Sequence, residues 1–268
     1  MKKGIWADRA FNGLIWAAAG ALAIYLLAVL LTLTFHIRPE SWTKVLMRER
    51  VLFSLNLSLL CATVASLLGL LFAIPAAYLL ARRQFPGKDL LDTLLDIPTV
   101  LSPVALGTAL LLFFGSGPGR VFEEHGIRFT FVVSGIILAQ FSVVVGLAVR
   151  SLKAVFESLS PRYETVALFL GCNKWSTFFK VILPMTRNGI ITSFILVWAR
   201  AIGEFGCTIT LAGAVPGKTE TIPAAIYLGL AEVDIQETLI YVLLLVLVAV
   251  VVLLSIRYLT RKRRVGAL

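Results

Sequence analysis

Residues 238–256 read TLIYVLLLVLVAVVVLLSI. No Asp, Glu, Lys or Arg interrupts them. A helix that is apolar all round has no face to give to water, and about 20 such residues span the hydrocarbon core of a bilayer. Arg257, Arg261, Lys262, Arg263 and Arg264 follow at once, a basic flank of the kind that holds a crossing helix in register. This stretch is a transmembrane helix, and it sets the solvent for the rest of the chain.

Working outward, the runs 10–37, 51–81, 97–119 and 129–149 are also free of formal charge. A further run, 188–214, carries only Arg200 and Glu204. Six crossings result. The bulk composition agrees: 59% of the 268 residues are hydrophobic and 15% charged, against about 25% charged in soluble proteins, and the mean hydropathy is +0.91. A soluble fold of this length lacks the interior to hide so much apolar surface. The net charge of +10 does not imply nucleic acid, because no polar stretch is long enough to form a basic domain. Cys61, Cys172 and Cys207 show no metal-ligand spacing, and the two in apolar runs read as small hydrophobes. The first run follows Lys2, Lys3 and Arg9 like a secretory signal. It is longer than an h-region and has no small-residue cleavage site, so it reads as a retained helix.

Orientation follows from charge. Six crossings put both termini on one side. That side holds 17 basic residues (around Lys2, Arg82, the 150–187 segment and the C-terminal cluster) and the other holds 7. The positive-inside rule makes the richer side cytoplasmic. Most of the +10 is therefore a topology signal.

The 150–187 segment is the longest on the cytoplasmic side, and it is patterned. Ser160-Pro161 offers a cap and a first-turn proline, and Glu164 in the first turn suits the helix dipole. Tyr163, Val166, Ala167 and Leu170 recur at helical spacing, and Gly171 is placed to end the helix. Asn173 is placed to cap a second helix through Trp175, Phe178 and Phe179 toward Pro184. Pattern alone allows either a connector lying on the membrane or a docking ridge for a cytoplasmic partner.

Here the residues resemble a known family. Glu164-Thr-Val-Ala-Leu-Phe-Leu-Gly171, nine residues, then Val181-Ile-Leu183-Pro184 is similar to the EAA loop of ABC importer permeases. Aligned on Gly171, the family's glutamate slot falls on Thr165, its alanines on Val166 and Ala167, and its isoleucine on Val181. Glu164 stands one place early. Asp96-Ile-Pro-Thr-Val-Leu-Ser-Pro103-Val-Ala-Leu-Gly107, Ala199-Arg-Ala-Ile-Gly-Glu-Phe-Gly206 with Thr208-Ile-Thr210, and Thr219-Glu-Thr-Ile-Pro223-Ala-Ala-Ile-Tyr227 resemble the third helix, fifth helix and following segment of molybdate-type permeases. The fifth-helix stretch also resembles sulfate permeases.

The resemblance implies a small type I ABC importer fold over a single domain, residues 1–268, with a coupling loop at about 150–187. It implies that Glu164, Thr165, Val166, Ala167, Gly171, Lys174, Leu183 and Pro184 serve coupling to an ATPase. It also implies a homodimer, two ATP-binding subunits carrying the ATP and magnesium, and an external solute-binding protein, in a prokaryotic inner membrane. The cargo implied is molybdate or tungstate, ahead of sulfate. The chain itself would bind no cofactor and catalyse nothing.

Arg200 and Glu204 lie four apart, so they share a helix face and pair inside the membrane. Ionisable groups at that depth cost roughly 2.5–3.5 kcal/mol each on insertion scales and mark function by default; a bracing ion pair is the plain alternative. Gly203 and Gly206 permit close approach or local unwinding at the same level. With Ser102, Thr208 and Thr210 from the resembling stretches, Arg200, Gly203 and Glu204 form the expected translocation pathway and gate. Gly213-Ala-Val-Pro-Gly217-Lys218-Thr219 is one residue short of a phosphate-binding loop, follows a membrane helix and faces outward, so it is rejected. His36 and His125 lack metal partners, Asn56 lies at or in a span where glycosylation does not apply, and Asp92 and Asp96 flank the start of the third span. The outer segments hold 7 basic and 8 acidic residues, so charge does not foretell an anionic cargo. An ion-coupled secondary transporter is the reading from another class, but it would want several midplane ionisable positions and inverted repeats; a membrane scaffold is a weaker third.

Overall fold

A computed structural model describes residues 2–36 and 48–265. Ile37, which ends the first apolar run, and most of the outer segment with Arg38 and Lys44 lie outside the described residues. All regular structure among the described residues is helical. Among the described residues five helices are long and apolar enough to cross a membrane, and the spans number six if one sharply bent pair makes a single span.

The apolar runs account for these helices directly. Helix α1 (Lys2–Phe35) carries the first run, and its span Phe11–Phe35 is unburied in the single chain. Helix α2 (Glu49–Arg82) carries the second as one long rod with Pro75 inside it. Helix α6 (Val133–Ser158) carries the fourth and continues past Arg150 and Lys153. The cytoplasmic loop therefore starts at Leu159, later than the loss of apolarity at 150 suggested. Helix α12 (Ile235–Val265) carries the sixth run.

The third run departs from the expectation of one straight crossing. Residues 97–119 split between α3 (Lys88–Val100) and α4 (Pro103–Gly115), which meet at 109°. The cause is local. Proline disfavours the helical region for the residue before it, and Ser102 is extended at φ −63°, ψ 141°. Pro103 then opens a new helix, where its missing N–H does no harm, and the Ser102 hydroxyl accepts from Ala105 N at 3.2 Å as the cap. A short outer helix, α5 (Gly117–Glu124), follows.

The fifth run is also broken. It begins earlier than Asn188, as helix α9 (Leu183–Ile202), and resumes as α10 (Gly206–Ala212) after an interruption at Gly203–Phe205. Between them lies the unwinding that Gly203 and Gly206 foreshadow. Before α9, α7 (Arg162–Phe169) and α8 (Lys174–Thr177) form the patterned cytoplasmic loop. The helix does not stop at Pro184: a wide π turn over Phe178–Ile182 joins α8 to α9. A proline inside a helix removes one i→i−4 bond, and a π turn is a known way to absorb such a defect. On the outer side, α11 (Ile222–Ala231) is too short to cross and leads into α12.

The centre is the α2–α6 pair with α9 and α10 against it. Its buried contacts are rich in small residues, among them Ala62, Ala73, Ala77, Ala139, Ala148 and Ala201. In lipid, small residues let backbones close in and gain dispersion contacts. A close approach joins the two broken spans: a Cβ on Gly107 of α4 would stand 2.9 Å from Cys207 Cα, from its carbonyl oxygen and from Thr210 Cβ.

Gly107→Ala should therefore lower the thermal midpoint of the detergent-solubilised protein, by an amount equivalent to about 1–3 kcal/mol of overpacking. Gly115→Ala, with open space around it, should leave the midpoint in place. Equal midpoints for both variants would mean that α4 and α10 do not meet this closely.

Candidate docking helix and mid-membrane polar patch

Helix α7 stands where the sequence places its ridge. Its end is fixed by Gly171, at φ +85°, with Gly171 N bonding to Leu168 O and Cys172 N to Ala167 O. That pair of bonds is the Schellman stop, which needs a left-handed residue at this position. Asn173 then caps α8, its side chain accepting from Ser176 N at 2.7 Å. Ser160 plays only a weak part, accepting from Arg162 N at 3.4 Å.

The face that α7 turns away from the body is strongly apolar. Phe169 is 86% exposed and Leu170 80%, with Val166 and Tyr163 also exposed; Ala167 is buried beneath them. Thr165 is exposed, its hydroxyl directed to Pro161 O at 3.4 Å. A cavity of about 640 Å³ opens beside this ridge, lined in part by Tyr163, Val166, Leu170 and Val181. Leu183 and Pro184 do not join the ridge; they form the first turn of α9. Lys174 sits at the start of α8 and faces a different groove.

Glu164 has a role that the family pattern did not foretell. Its Oε1 lies 2.6 Å from Arg82 Nε, with both side chains mostly buried. Its Oε2 accepts from the Tyr78 hydroxyl at 3.0 Å, and Arg82 Nη2 donates to Leu159 O at 2.7 Å. The early glutamate thus bolts α7 to the cytoplasmic end of α2, the rod at the centre of the fold.

The second group lies deep in the membrane. Trp198 Nε1 donates to Thr63 Oγ1 at 3.1 Å, which places the end of α9 near the middle of α2. There Arg200 Nη1 meets Glu204 Oε2 at 2.6 Å. The other oxygen of Glu204 accepts from Cys207 N at 3.0 Å. Glu204 is buried, whereas the Arg200 side chain is 39% exposed. The carboxylate accepts from one free N–H where α10 begins, that of Cys207, and the guanidinium is left at the surface of the single chain.

The remaining pathway residues divide. Ser102 and Gly203 are exposed at the two breaks. Gly206 packs on Pro103 and Val104, so the breaks lie side by side. Thr208 is buried, with no hydrogen-bond partner among the described residues for its hydroxyl. The Thr210 hydroxyl donates to Gly206 O at 2.7 Å. The rejected phosphate-loop stretch is an outer turn between helices, held by Thr219 N to Val215 O.

Two charged constellations escaped the sequence reading. Asp92 and Asp96 on α3 pair with Lys153 at 2.5 Å and Arg150 at 2.6 Å on α6. The signal was present as an i,i+4 acidic pair and an i,i+3 basic pair, each on one helix face. On the outer side, Arg50 grips the fully buried Glu220 through two nitrogens, at 2.6 and 2.9 Å, and Arg48 meets Glu237 at 2.7 Å. Ser58 Oγ accepts from Ile222 N at 2.8 Å beside them. These bonds seal the outer loop onto α2.

The sequence pattern of the family described as binding-protein-dependent transport system inner membrane component matches residues 65–265. The chain is 41% identical over 174 residues to the molybdenum transport system permease protein ModB of Escherichia coli strain K12, covering 64% of this chain and 76% of that one. It is 36% identical over 205 residues to the sulfate transport system permease protein CysW of the same strain, covering 76% and 70%. A crystal structure of a bacterial ABC transporter that imports the acidic polysaccharide alginate contains a chain with the same fold: TM-score 0.76 at 16% identity, covering 96% of this chain and 98% of that one.

Glu164→Ala should leave the Arg82 guanidinium without its carboxylate, a defect that costs about 3–5 kcal/mol when the charge is fully buried and less at this partly shielded pair. The amides of residues 162–170 should then exchange hydrogen faster, while those of α6 should not. The reciprocal swap Arg82→Glu with Glu164→Arg should recover part of the protection. Unchanged exchange in Glu164→Ala would show that α7 is held by other contacts.

Proposed function

The chain belongs to the family of binding-protein-dependent transport system inner membrane components, and from that premise we propose that it passes a tetrahedral oxyanion, molybdate or tungstate, into the cell. As an ABC importer permease it is a multi-pass membrane translocation subunit. An ion-coupled secondary transporter and a passive scaffold are set aside by that membership.

The observation that carries the mechanism is the exposed apolar ridge of α7 bolted to α2 through Glu164 and Arg82. Two copies of the chain form the pore, and an ATP-hydrolysing subunit receives each ridge on the cytoplasmic side. Closure of the ATPases around nucleotide draws the ridges together. Each ridge turns its α2, and α2 carries α6, α9 and the broken spans as a rigid body. ATP and magnesium reside on the partner. A solute-binding protein delivers the cargo from outside; one solved structure of similar fold is described in complex with an alginate-bound periplasmic protein.

The pathway runs past the two breaks. Arg200 offers a cation near mid-membrane, held in place by Glu204. Ser102 and Gly203 stand exposed at the same breaks, and the discontinuous helices are of the kind that line substrate routes in membrane transporters. The cargo rests on the relatives. The 41% identical permease carries molybdenum in its name, and sulfate permeases at 36% are comparably close, so sulfate is the competing reading. The two anions share tetrahedral shape and charge, and the permease need not discriminate what the solute-binding protein has already selected.

Proteoliposomes holding this chain with its ATPase and binding protein should take up molybdate only when ATP is supplied. Tungstate should compete at comparable concentrations, and sulfate and phosphate only in large excess. Arg200→Ala should assemble normally and lose most of this uptake, on the order of the 10–100-fold that 1.4–2.8 kcal/mol of lost charge stabilisation represents. Phe169→Ala with Leu170→Ala should release the ATPase on co-purification. Wild-type uptake by Arg200→Ala would remove the gate assignment, and sulfate outcompeting molybdate would move the cargo to sulfate.

A further inference from the structure

Helix α2 keeps one apolar face exposed in the single chain along its cytoplasmic half. Leu68, Leu71, Phe72, Pro75 and Leu79 are all exposed there. Their spacing of three and four residues puts them on one stripe. At 1.5 Å per residue the stripe is about 16 Å long, close to half of a roughly 30 Å hydrocarbon core. It is as deep as one leaflet.

At its cytoplasmic end the stripe deepens into a groove of about 340 Å³ between α2 and α8. The walls are Pro75, Tyr78, Leu79, Trp175 and Phe178. Tyr78 offers only its ring, because its hydroxyl is committed to Glu164 and its ring meets Phe156 and Phe178 edge-on at 5.6 and 4.9 Å. Trp175, 74% exposed, lies flat on Phe179 at 5.7 Å. A broad amphipathic ring at this depth suits the membrane–water boundary.

Two cations close the groove. Arg83 and Lys174 both line it and are exposed, and neither has an ion-pair partner among the described residues. The neighbouring cation is employed differently, since Arg82 is committed to Glu164 and Leu159 O. An apolar channel one leaflet deep, with an aromatic plate and two unpaired cations at its cytoplasmic mouth, complements one kind of molecule. We propose that it seats an anionic phospholipid of the cytoplasmic leaflet, with an acyl chain along Leu68–Leu79 and the phosphate between Arg83 and Lys174. Tyr78 both lines the seat and holds Glu164, so an occupied groove braces the α2–α8 corner that carries the docking helix. This inference needs the membrane fold alone and does not depend on which anion is the cargo.

The full-length chain in nanodiscs, doped with phosphatidylglycerol or phosphatidylcholine bearing a photoactivatable acyl chain, tests the assignment by peptide mapping of the crosslinks. The phosphatidylglycerol probe should label residues 75–79 and 174–178 about tenfold more than the phosphatidylcholine probe. Both probes should label the exposed α1 span equally. R83Q with K174Q should bring the ratio at the groove near one, and L79W should lower labelling there by both probes. A wild-type ratio near one, a ratio that survives R83Q with K174Q, or labelling of α1 with none at the groove would each overturn the proposal.

Discussion

A backbone inside hydrocarbon must satisfy its own N–H and C=O groups, because no water is there to do so. Every break in a spanning helix therefore needs a partner at the same depth. Among the described residues there are two breaks, at Leu101–Ser102 and at Gly203–Phe205, and the chain packs them together. Gly206 rests on Pro103 and Val104, and Gly107 rests on Cys207 and Thr210. Ser102 caps one restarted helix and Glu204 the other. The rest of the fold follows from that closure: α4 and α10 must touch, α6 must lie behind them, and α2 must back α6. A polar site deep in the membrane arises from the same requirement, since the groups that close the breaks are polar.

The cytoplasmic end uses charge in the same economical way. Arg82 and Glu164 join α7 to α2, and Asp92, Asp96, Arg150 and Lys153 join α3 to α6. Surface ion pairs contribute little stability singly. Here their value is positional: one ties the short α7 to the rod α2, and the others tie α3 to the rod α6. Arg82 and Arg83 show how finely the labour divides. One faces Glu164 and is mostly buried, and its neighbour faces the lipid groove.

The spans were legible because bilayer thickness writes itself into run length. Thr238–Ile256 needed no further context. The breaks were less legible, since Ser102-Pro103 in a charge-free run reads equally as a kink, and only the partner helix decides how far the chain turns. Helix ends erred for a related reason. Arg150 and Lys153 end the apolar run, yet the helix continues because α3 supplies their counterions. The apolar ridge of α7 was visible in its spacing and its stop in Gly171. The use of Glu164 was hidden, because Tyr78 and Arg82 lie more than 80 residues earlier and nothing local marks them. The Arg50–Glu220 grip was hidden likewise, by 170 residues of separation.

On the proposed reading, the weak charge of the outer segments becomes intelligible. A pore that itself bound the anion tightly would hold it, and a conduit must let go of what it admits. Among the described residues Arg200 is the one cation of the mid-membrane patch, and Glu204 already balances it. The buried carboxylate is fixed by Cys207 N, so the half-exposed guanidinium is the member of the pair able to turn toward a passing anion. In doing so it would exchange the carboxylate for oxygens of the cargo, and Glu204, left without its partner, would remain to draw it back. A neutral, resettable pair of this kind favours passage over retention, and it leaves selection to the protein that delivers the anion.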